Sequence, residues 1–225
     1  CREHQKTKFD VLFVKFGVLK FCEHRELVYE IYANSGRVIN LENDYAFDPD
    51  PRLRRMNPNY TIWGTVPEKA EAIGGRYLNW NMAAWKHDLP ERPVTRAGLF
   101  YYGRWREDRK VYFDRYFTKP PYLMTVSSQT RSIRKFTERY PDVTYVKQLD
   151  SVIDVGHVEM ALYIEDVYSN AHYCSPAQRF YECLQAHVPM LFDESCIKTL
   201  EAAGYRIWPS FISRNKVDVQ DALFT

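Results

Sequence analysis

The sequence predicts an α/β protein made of two domains, each a doubly wound parallel sheet flanked by helices. Three observations carry that expectation. Short apolar runs alternate along the chain with segments that repeat apolar residues at helical spacing, the rhythm of parallel strands joined by crossover helices. The stretch Ser175–Asp193, SPAQRFYECLQAHVPMLFD, shows one such step complete. Ser175 suits an N-cap and Pro176 the first helical position, where a missing N–H costs nothing. Phe180, Leu184 and Val188 then share a face, Pro189 stops the helix, and Met190–Asp193 reads as a buried strand. Finally, the polar run His87–Pro93, HDLPERP, carries two prolines and divides the chain near residue 92, into 1–92 and 93–225.

In the first half, Phe9–Phe16 is a buried-strand candidate ending at Gly17. Glu23–Ala33 reads as a helix with Leu27, Val28 and Ile31 on one face and Asn34-Ser35-Gly36 as its stop. Arg37–Leu41 is the next strand and runs directly into Glu42-Asn43-Asp44-Tyr45. Ala46–Asn59 reads as a loop, with prolines at 49, 51 and 58 and a basic cluster of Arg52, Arg54 and Arg55. Thr61–Val66 is a strand, Glu68–Ile73 a short helix closed by Gly74-Gly75, and Tyr77–Met82 a further strand.

The second half repeats the pattern more cleanly. Gly98–Tyr102 is a strand ending at Gly103, Glu107–Phe117 a helix, and Tyr122–Val126 a strand closed by Ser127-Ser128. Ser132–Tyr140 is a helix, Val143–Gln148 a strand, and Met160–Ile164 a strand ending in Glu165-Asp166. After Ser175–Asp193 come a helix over Glu194–Ala203 stopped by Gly204, a strand over Tyr205–Trp208, and a closing segment to Thr225.

Composition narrows the function classes. With 225 residues, 45% of them hydrophobic, the chain can bury a sizeable core. A net charge of +2 excludes a protein that coats nucleic acid by bulk charge. The 17 tyrosines suit stacking on flat ligands, and equally an ordinary packed core. Apolar runs fall far short of the roughly 20 residues that cross a membrane, so no membrane partner is expected. The polar opening CREHQKTKFD shows no signal peptide, and its first residue is Cys rather than Met, so the natural start is expected to lie elsewhere. Five cysteines without a C-x-x-C pair point to reduced thiols in the cytosol and against a zinc site. No G-x-S-x-G elbow, P-loop or H-E-x-x-H occurs.

The polar residues collect at predicted strand ends, where open α/β sheets place ligands beside helix N-termini that favour anions. Gly103-Arg104-Trp105-Arg106, Ser127-Ser128, Glu165-Asp166, and Arg179 with Glu182 put arginines, hydroxyls and carboxylates along one edge. A glycine lets backbone approach a phosphate, and arginine offers it a planar fork. Glu182 alone reads equally well as a solvated helix carboxylate, and Glu42–Tyr45 as a turn. The three clustered arginines fit either a phosphate-rich partner or plain surface. His24 could act as a base, though capping or surface exposure explains it as well.

Several of these residues bear a family resemblance. Pro176, Arg179, Glu182, Leu184, Val188 and Pro189 resemble the donor-site helix of GT-B glycosyltransferases, in which a Glu accepts hydrogen bonds from the nucleotide ribose. YYGRWREDRKVYFDRYF (101–117) resembles the first strand-loop-helix of the donor domain in the phage-type members. INLENDY followed by a Pro-rich loop, then YLNWN, resembles their N-terminal half. Several of those enzymes glycosylate hydroxymethylated pyrimidines in DNA. The likeness spans most of the chain, strongly over 97–193 and loosely over 9–85.

That resemblance implies a GT-B-like α/β fold of two Rossmann-type domains with parallel sheets: an acceptor domain over 1–92, reduced or truncated, and a donor domain over 93–225. It implies a sugar transferred from a nucleotide-sugar, most readily a UDP-sugar, bound as co-substrate with no tightly held cofactor. Arg104, Arg106 or Arg109 would meet the diphosphate beside Gly103, Ser127 and Ser128 would lie near the nucleotide, and Arg179 would join Glu182 on the donor-site helix. On the acceptor side Asp44 would activate the hydroxyl, with Asn43, Tyr45, Arg52, Arg54 and Arg55 binding an acceptor such as double-stranded DNA. The setting implied is the cytoplasm of an infected bacterium. A glycan or small-molecule acceptor is the alternative, as is a non-catalytic nucleotide- or DNA-binding module. Two departures stand out: the first half lacks an opening strand and helix, and the family's glycine-rich acceptor loop is absent. No metal site is expected, because Asp48-Pro49-Asp50 has the D-x-D spelling in a turn-forming context, and a requirement for a divalent ion stays open.

Overall fold

The computed structural model describes residues 8–15, 23–42, 51–65, 67–79, 92–147, 155–172 and 176–224. The chain divides into two compact units, Cys1–Trp80 and Asn81–Thr225. That division falls ahead of the proline run at 87–93, most of which lies outside the described residues.

In the first unit, β1 (Val11–Lys15), β2 (Arg37–Glu42), β3 (Tyr60–Gly64) and β4 (Arg76–Tyr77) form a parallel sheet in the order β1-β2-β3-β4. The connecting helices are α1 (Arg25–Asn34), α2 (Pro51–Met56) and α3 (Pro67–Glu71). Val14, Val38, Tyr60 and Ile62 from the strands bury against Tyr29 and Tyr32 of α1 and Leu53 of α2. The stop after α1 is as read: the Ser35 hydroxyl donates to the Ile31 carbonyl at 2.7 Å, and the Gly36 N–H to that of Phe9 at 2.7 Å. Asn57 then ties α2 back to that stop, donating to the carbonyls of Tyr32 and Ser35 at 2.8 Å each.

Helix α2 corrects the loop expected over Ala46–Asn59. Proline is tolerated in a helix's first turn, and Pro51 begins this one while Pro58 follows its end. A six-residue helix is too short to show a periodic apolar face. The strand expected over Tyr77–Met82 also shrinks, to Arg76–Tyr77 among the described residues.

The second unit holds six parallel strands: β5 (Arg96–Tyr102), β6 (Met124–Ser128), β7 (Thr144–Lys147), β8 (Val158–Tyr163), β9 (Met190–Asp193) and β10 (Ile212–Ser213). Their order is β7-β6-β5-β8-β9-β10, so the chain winds outward in both directions from β5 and β8. Helices α4 (Lys110–Phe117), α5 (Thr130–Arg139) and α9 (Lys216–Phe224) bury Phe113, Tyr116, Phe117, Phe136 and Val219 against Leu99, Tyr101 and Val126. In the other main cluster, α7 (Gln178–Gln185) and α8 (Ile197–Ala202) bury Phe180, Tyr181, Cys183 and Leu200 against Phe100, Ala161, Tyr163 and Phe192. Successive strand residues point to opposite faces, so neighbours Tyr101 and Tyr102 serve different clusters.

Three local readings change. Helix α7 starts at Gln178 with Ala177 in the capping position, so Pro176 is not its first residue, and Ser175 lies outside the described residues. The Ala177 N–H is satisfied instead by the Tyr163 hydroxyl at 2.8 Å. The helix closes at Ala186, before Pro189 can act, through His187 in the left-handed region (φ 56°). The strand expected over Tyr205–Trp208 is displaced: a 3-10 turn at Pro209–Phe211 leads into β10, and Trp208 is 75% exposed. Helix α6 (Val167–His172) and helix α9 had no counterpart in the periodicity.

Candidate functional site

In doubly wound sheets the ligand crevice opens where neighbouring strands send their connections in opposite directions. Here that point lies between the carboxyl ends of β5 and β8. Beyond β5 runs Gly103–Arg109, and beyond β8 come Ile164, Glu165 and Asp166, then α6 and, further on, α7.

The two strand ends are locked by a buried charge network. Arg109 reaches Glu165 Oε2 at 3.3 Å and Asp166 Oδ2 at 3.2 Å through Nη2, and donates through Nη1 to the Tyr101 hydroxyl at 3.2 Å. Arg179 pairs through Nη2 with Glu165 Oε1 at 2.7 Å and also donates to the Ile164 carbonyl. Its guanidinium lies 5.1 Å from the Tyr163 ring centre and 5.9 Å from that of Tyr101. Arg106 meets Asp166 at 3.3 Å and holds Asp108 at 2.8 Å.

Burying such ions costs several kcal/mol each unless partners compensate, and here each arginine has a carboxylate. Burial would lower the pKa of Arg109 and of Arg179. Tyr101 and Glu165 outweigh it for Arg109, as do Glu165 and the surrounding tyrosines for Arg179, and both stay firmly charged. Asp166 is fully buried, which alone would raise its pKa. The Ser169 N–H at 2.7 Å, Arg109 and Arg106 instead hold it below the ordinary carboxylate value. Arg104 differs from all of these, being exposed and without an ion pair among the described residues.

Glu182 sits beside this network on α7. Its Oε2 accepts the Tyr102 hydroxyl at 2.8 Å, and its Oε1 accepts the Gln178 side-chain amide at 2.8 Å. Tyr102 also reaches the Arg179 carbonyl at 3.1 Å. Burial first, then Cys183 and Glu182, push the Tyr102 pKa far up, so its hydroxyl is a permanent donor. Burial likewise pushes the Cys183 thiol up to about 12, leaving it protonated.

The structure therefore gathers Gly103, Arg104, Arg106, Arg109, Arg179 and Glu182 along the same edge, in different states. Arg109 is committed to the buried network, and Arg106 is half-exposed. A Cβ on Gly103 would stand 2.6 Å from the Tyr101 hydroxyl, so the glycine leaves that hydroxyl room to accept Arg109. Ser127 donates to the Lys147 carbonyl at 3.0 Å, linking β6 to β7, and Ser128 to that of Gly103 at 2.5 Å, tying the loop after β5 to the sheet. Tyr101, Tyr102 and Gln178 were not among the sequence candidates. For the two tyrosines the signal was the Tyr-Tyr-Gly at a strand end, where alternation aims the hydroxyls at opposite faces, and for Gln178 its i, i+4 spacing to Glu182 on a helix. A cleft of about 400 Å³ lined by Trp105, Glu107, Lys110, Lys135, Glu138 and Arg139 includes none of the donor candidates.

In the first unit, Asn43, Asp44 and Tyr45 lie outside the described residues. Of the clustered arginines, Arg52 donates to the Tyr29 hydroxyl at 2.9 Å with its guanidinium 5.2 Å from the ring centre. Arg54 and Arg55 are exposed. His24 is exposed ahead of α1 and makes no side-chain capping bond. Among the described residues no group of three or more His, Cys, Asp or Glu could hold a metal ion, and no helix is long and apolar enough to cross a membrane.

No protein-family model and no curated protein matches this chain. Solved structures do. A DNA-modifying β-glucosyltransferase, determined with and without uridine diphosphoglucose, superposes with a TM-score of 0.68 at 14% identity over 96% of this chain and 70% of its own. T4 phage β-glucosyltransferase in complex with UDP-glucose gives 0.66 at 15% identity, covering 96% of this chain and 72% of that one. The T4 phage enzyme with UDP and Mn²⁺ gives 0.60 at 13% identity over 96% of this chain and 72% of that one. The carboxylates nearest the site here, Glu165 and Asp166, are bound to arginines and do not form a metal-ligand set. At this identity the likeness is one of architecture: the chain has the two-sheet GT-B fold of the phage DNA β-glucosyltransferases.

Proposed function

We propose that this chain is a glycosyltransferase that moves a sugar from a UDP-sugar, UDP-glucose by analogy with the similar structures, to a hydroxyl on hydroxymethylated pyrimidine in DNA. The observation that carries the reading is Glu182, held by two hydrogen bonds at the switch point of a sheet whose architecture matches UDP-glucose-bound enzymes. A carboxylate placed there can accept both ribose hydroxyls. Arg104, exposed and without an ion pair among the described residues, is the arginine best able to meet the diphosphate, with Arg106 able to exchange its exposed partner Asp108 for a phosphate oxygen. Arg109 and Arg179 then set the shape and potential of the floor. The hydroxymethyl oxygen of the pyrimidine is a weak nucleophile at neutral pH, and Asp44 is the candidate base that would take its proton during attack on the anomeric carbon, with UDP leaving.

The test measures transfer of labelled glucose from UDP-glucose to duplex DNA with and without 5-hydroxymethylcytosine, alongside UDP binding by calorimetry. Transfer confined to the hydroxymethylated duplex is expected. A hydrogen bond to a charged group contributes about 1.5–3 kcal/mol, so Glu182→Ala is expected to weaken UDP binding about ten- to a hundredfold. UDP-glucose hydrolysis without transfer to DNA would move the acceptor to a glycan or small molecule. UDP binding with neither transfer nor hydrolysis would leave a non-catalytic module.

A further inference from the structure

An unrestrained glutamate on an exposed helix face samples several rotamers, and a carboxylate meant for two adjacent hydroxyls works best when it does not. Each carboxylate oxygen offers about two lone-pair directions. In Glu182 one direction on Oε2 is filled by the Tyr102 hydroxyl and one on Oε1 by the Gln178 amide. What remains is one acceptor direction per oxygen, the pattern that a vicinal diol satisfies with its two O–H donors. The clamp is itself rigid on one side. Tyr102 stacks on Phe100 with centroids 6.1 Å apart and packs against the apolar cluster of Phe180 and Tyr163. Its single O–H proton lies toward Glu182 at 2.8 Å, with the Arg179 carbonyl at 3.1 Å as the more distant second acceptor. Gln178 closes the other side from the exposed first turn of α7.

We infer that Tyr102 and Gln178 are positioning residues that hold the Glu182 carboxylate in the orientation that selects a nucleotide with both ribose hydroxyls free. The inference rests on assigning Glu182 to the ribose, and the two can fail separately. Neither residue touches the nucleotide in this scheme. Their effect is therefore confined to the part of affinity that depends on the diol.

The experiment titrates UDP and 2′,3′-dideoxy-UDP into the wild-type chain and into Tyr102→Phe, Gln178→Ala and Glu182→Ala, checking each variant's thermal melt. The readout is the preference for UDP over the dideoxy compound. Glu182→Ala is expected to abolish it. Tyr102→Phe keeps the ring and removes one hydrogen bond to a charged acceptor, so it should cut the preference about tenfold while changing dideoxy-UDP affinity less than about twofold. Gln178→Ala, on the exposed side, should cut it by a smaller factor of about three. If Glu182→Ala keeps the preference, the ribose assignment falls and the inference with it. If Glu182→Ala loses the preference while the other two variants retain it, the assignment stands and the positioning role is overturned. Equal weakening of both nucleotides by Tyr102→Phe and Gln178→Ala would mark a purely structural role and overturn it too. Should Tyr102→Phe fail to fold, the exposed Gln178→Ala variant decides the outcome.

Discussion

Asp166 shows what a single residue does for this sheet. Its carboxylate is fully buried, compensates Arg109 and Arg106, and accepts the Ser169 N–H at the start of α6. Removing one partner of a buried pair strands the other, at about 3–5 kcal/mol, and Glu165 remains here to limit the loss for Arg109. Asp166→Asn is therefore expected to lower the unfolding free energy at pH 7, read from urea melts, by an amount toward the lower end of that range. The folded-state pKa of Asp166 lies below its unfolded value. Its stabilisation is thus complete above the unfolded pKa of about 3.9 and disappears as pH falls through the lower folded value. The gap between wild type and Asp166→Asn should narrow as acid is added below about pH 4; a gap that stays constant into acid would rule this linkage out. The acids at this strand end were legible in the sequence, because position after a buried run is a local property. Their partners were not. Arg109 and Glu165 are 56 residues apart, and no periodicity encodes which arginine crosses to which carboxylate.

At the scale of elements, the sequence was clearest where a helix repeats an apolar face, as in α5 and α7, and weakest where it does not, as in α6 and the nine-residue α9. Helix α2 was hidden by prolines that flank rather than break it, and its formation separates the basic cluster into two kinds of residue. Arg52 spends its guanidinium on Tyr29, linking α2 to α1, whereas Arg54 and Arg55 occupy the last turn and are exposed. If α2 grips DNA, counterion release makes the slope of log binding against log salt fall by about 0.9 for every phosphate contact removed. Replacing Arg54 and Arg55 together by Ala is expected to flatten the slope by about 1.8, read from fluorescence anisotropy of duplex DNA across salt concentrations. Arg52→Ala should instead lower the melting temperature, since a cation–π contact at an exposed site contributes about 0.5–1 kcal/mol. An unchanged slope in the Arg54/Arg55 double variant would reduce the cluster to ordinary surface.

For the whole molecule, strand order decides where a ligand can sit. The first sheet runs β1-β2-β3-β4 without reversing, so among the described residues it has no switch point. The second reverses between β5 and β8, and the residues proposed for the nucleotide, Arg104, Arg106 and Glu182, all belong to residues 81–225, as do the Tyr102 and Gln178 proposed to position Glu182. That unit has its own two-sided core, with Phe113 and Phe136 on one face of the sheet and Phe180 and Leu200 on the other, and its size is typical of an independently folding domain. A fragment of residues 81–225 is therefore expected to unfold in one cooperative transition and to bind UDP within about threefold of the full chain, a difference of about 0.65 kcal/mol. It lacks Asp44, so it should bind UDP-glucose without transferring the sugar. A fragment that folds cooperatively yet loses UDP binding by tenfold or more would place part of the nucleotide site in residues 1–80. The ribose assignment of Glu182 would then have to be tested in the full chain alone.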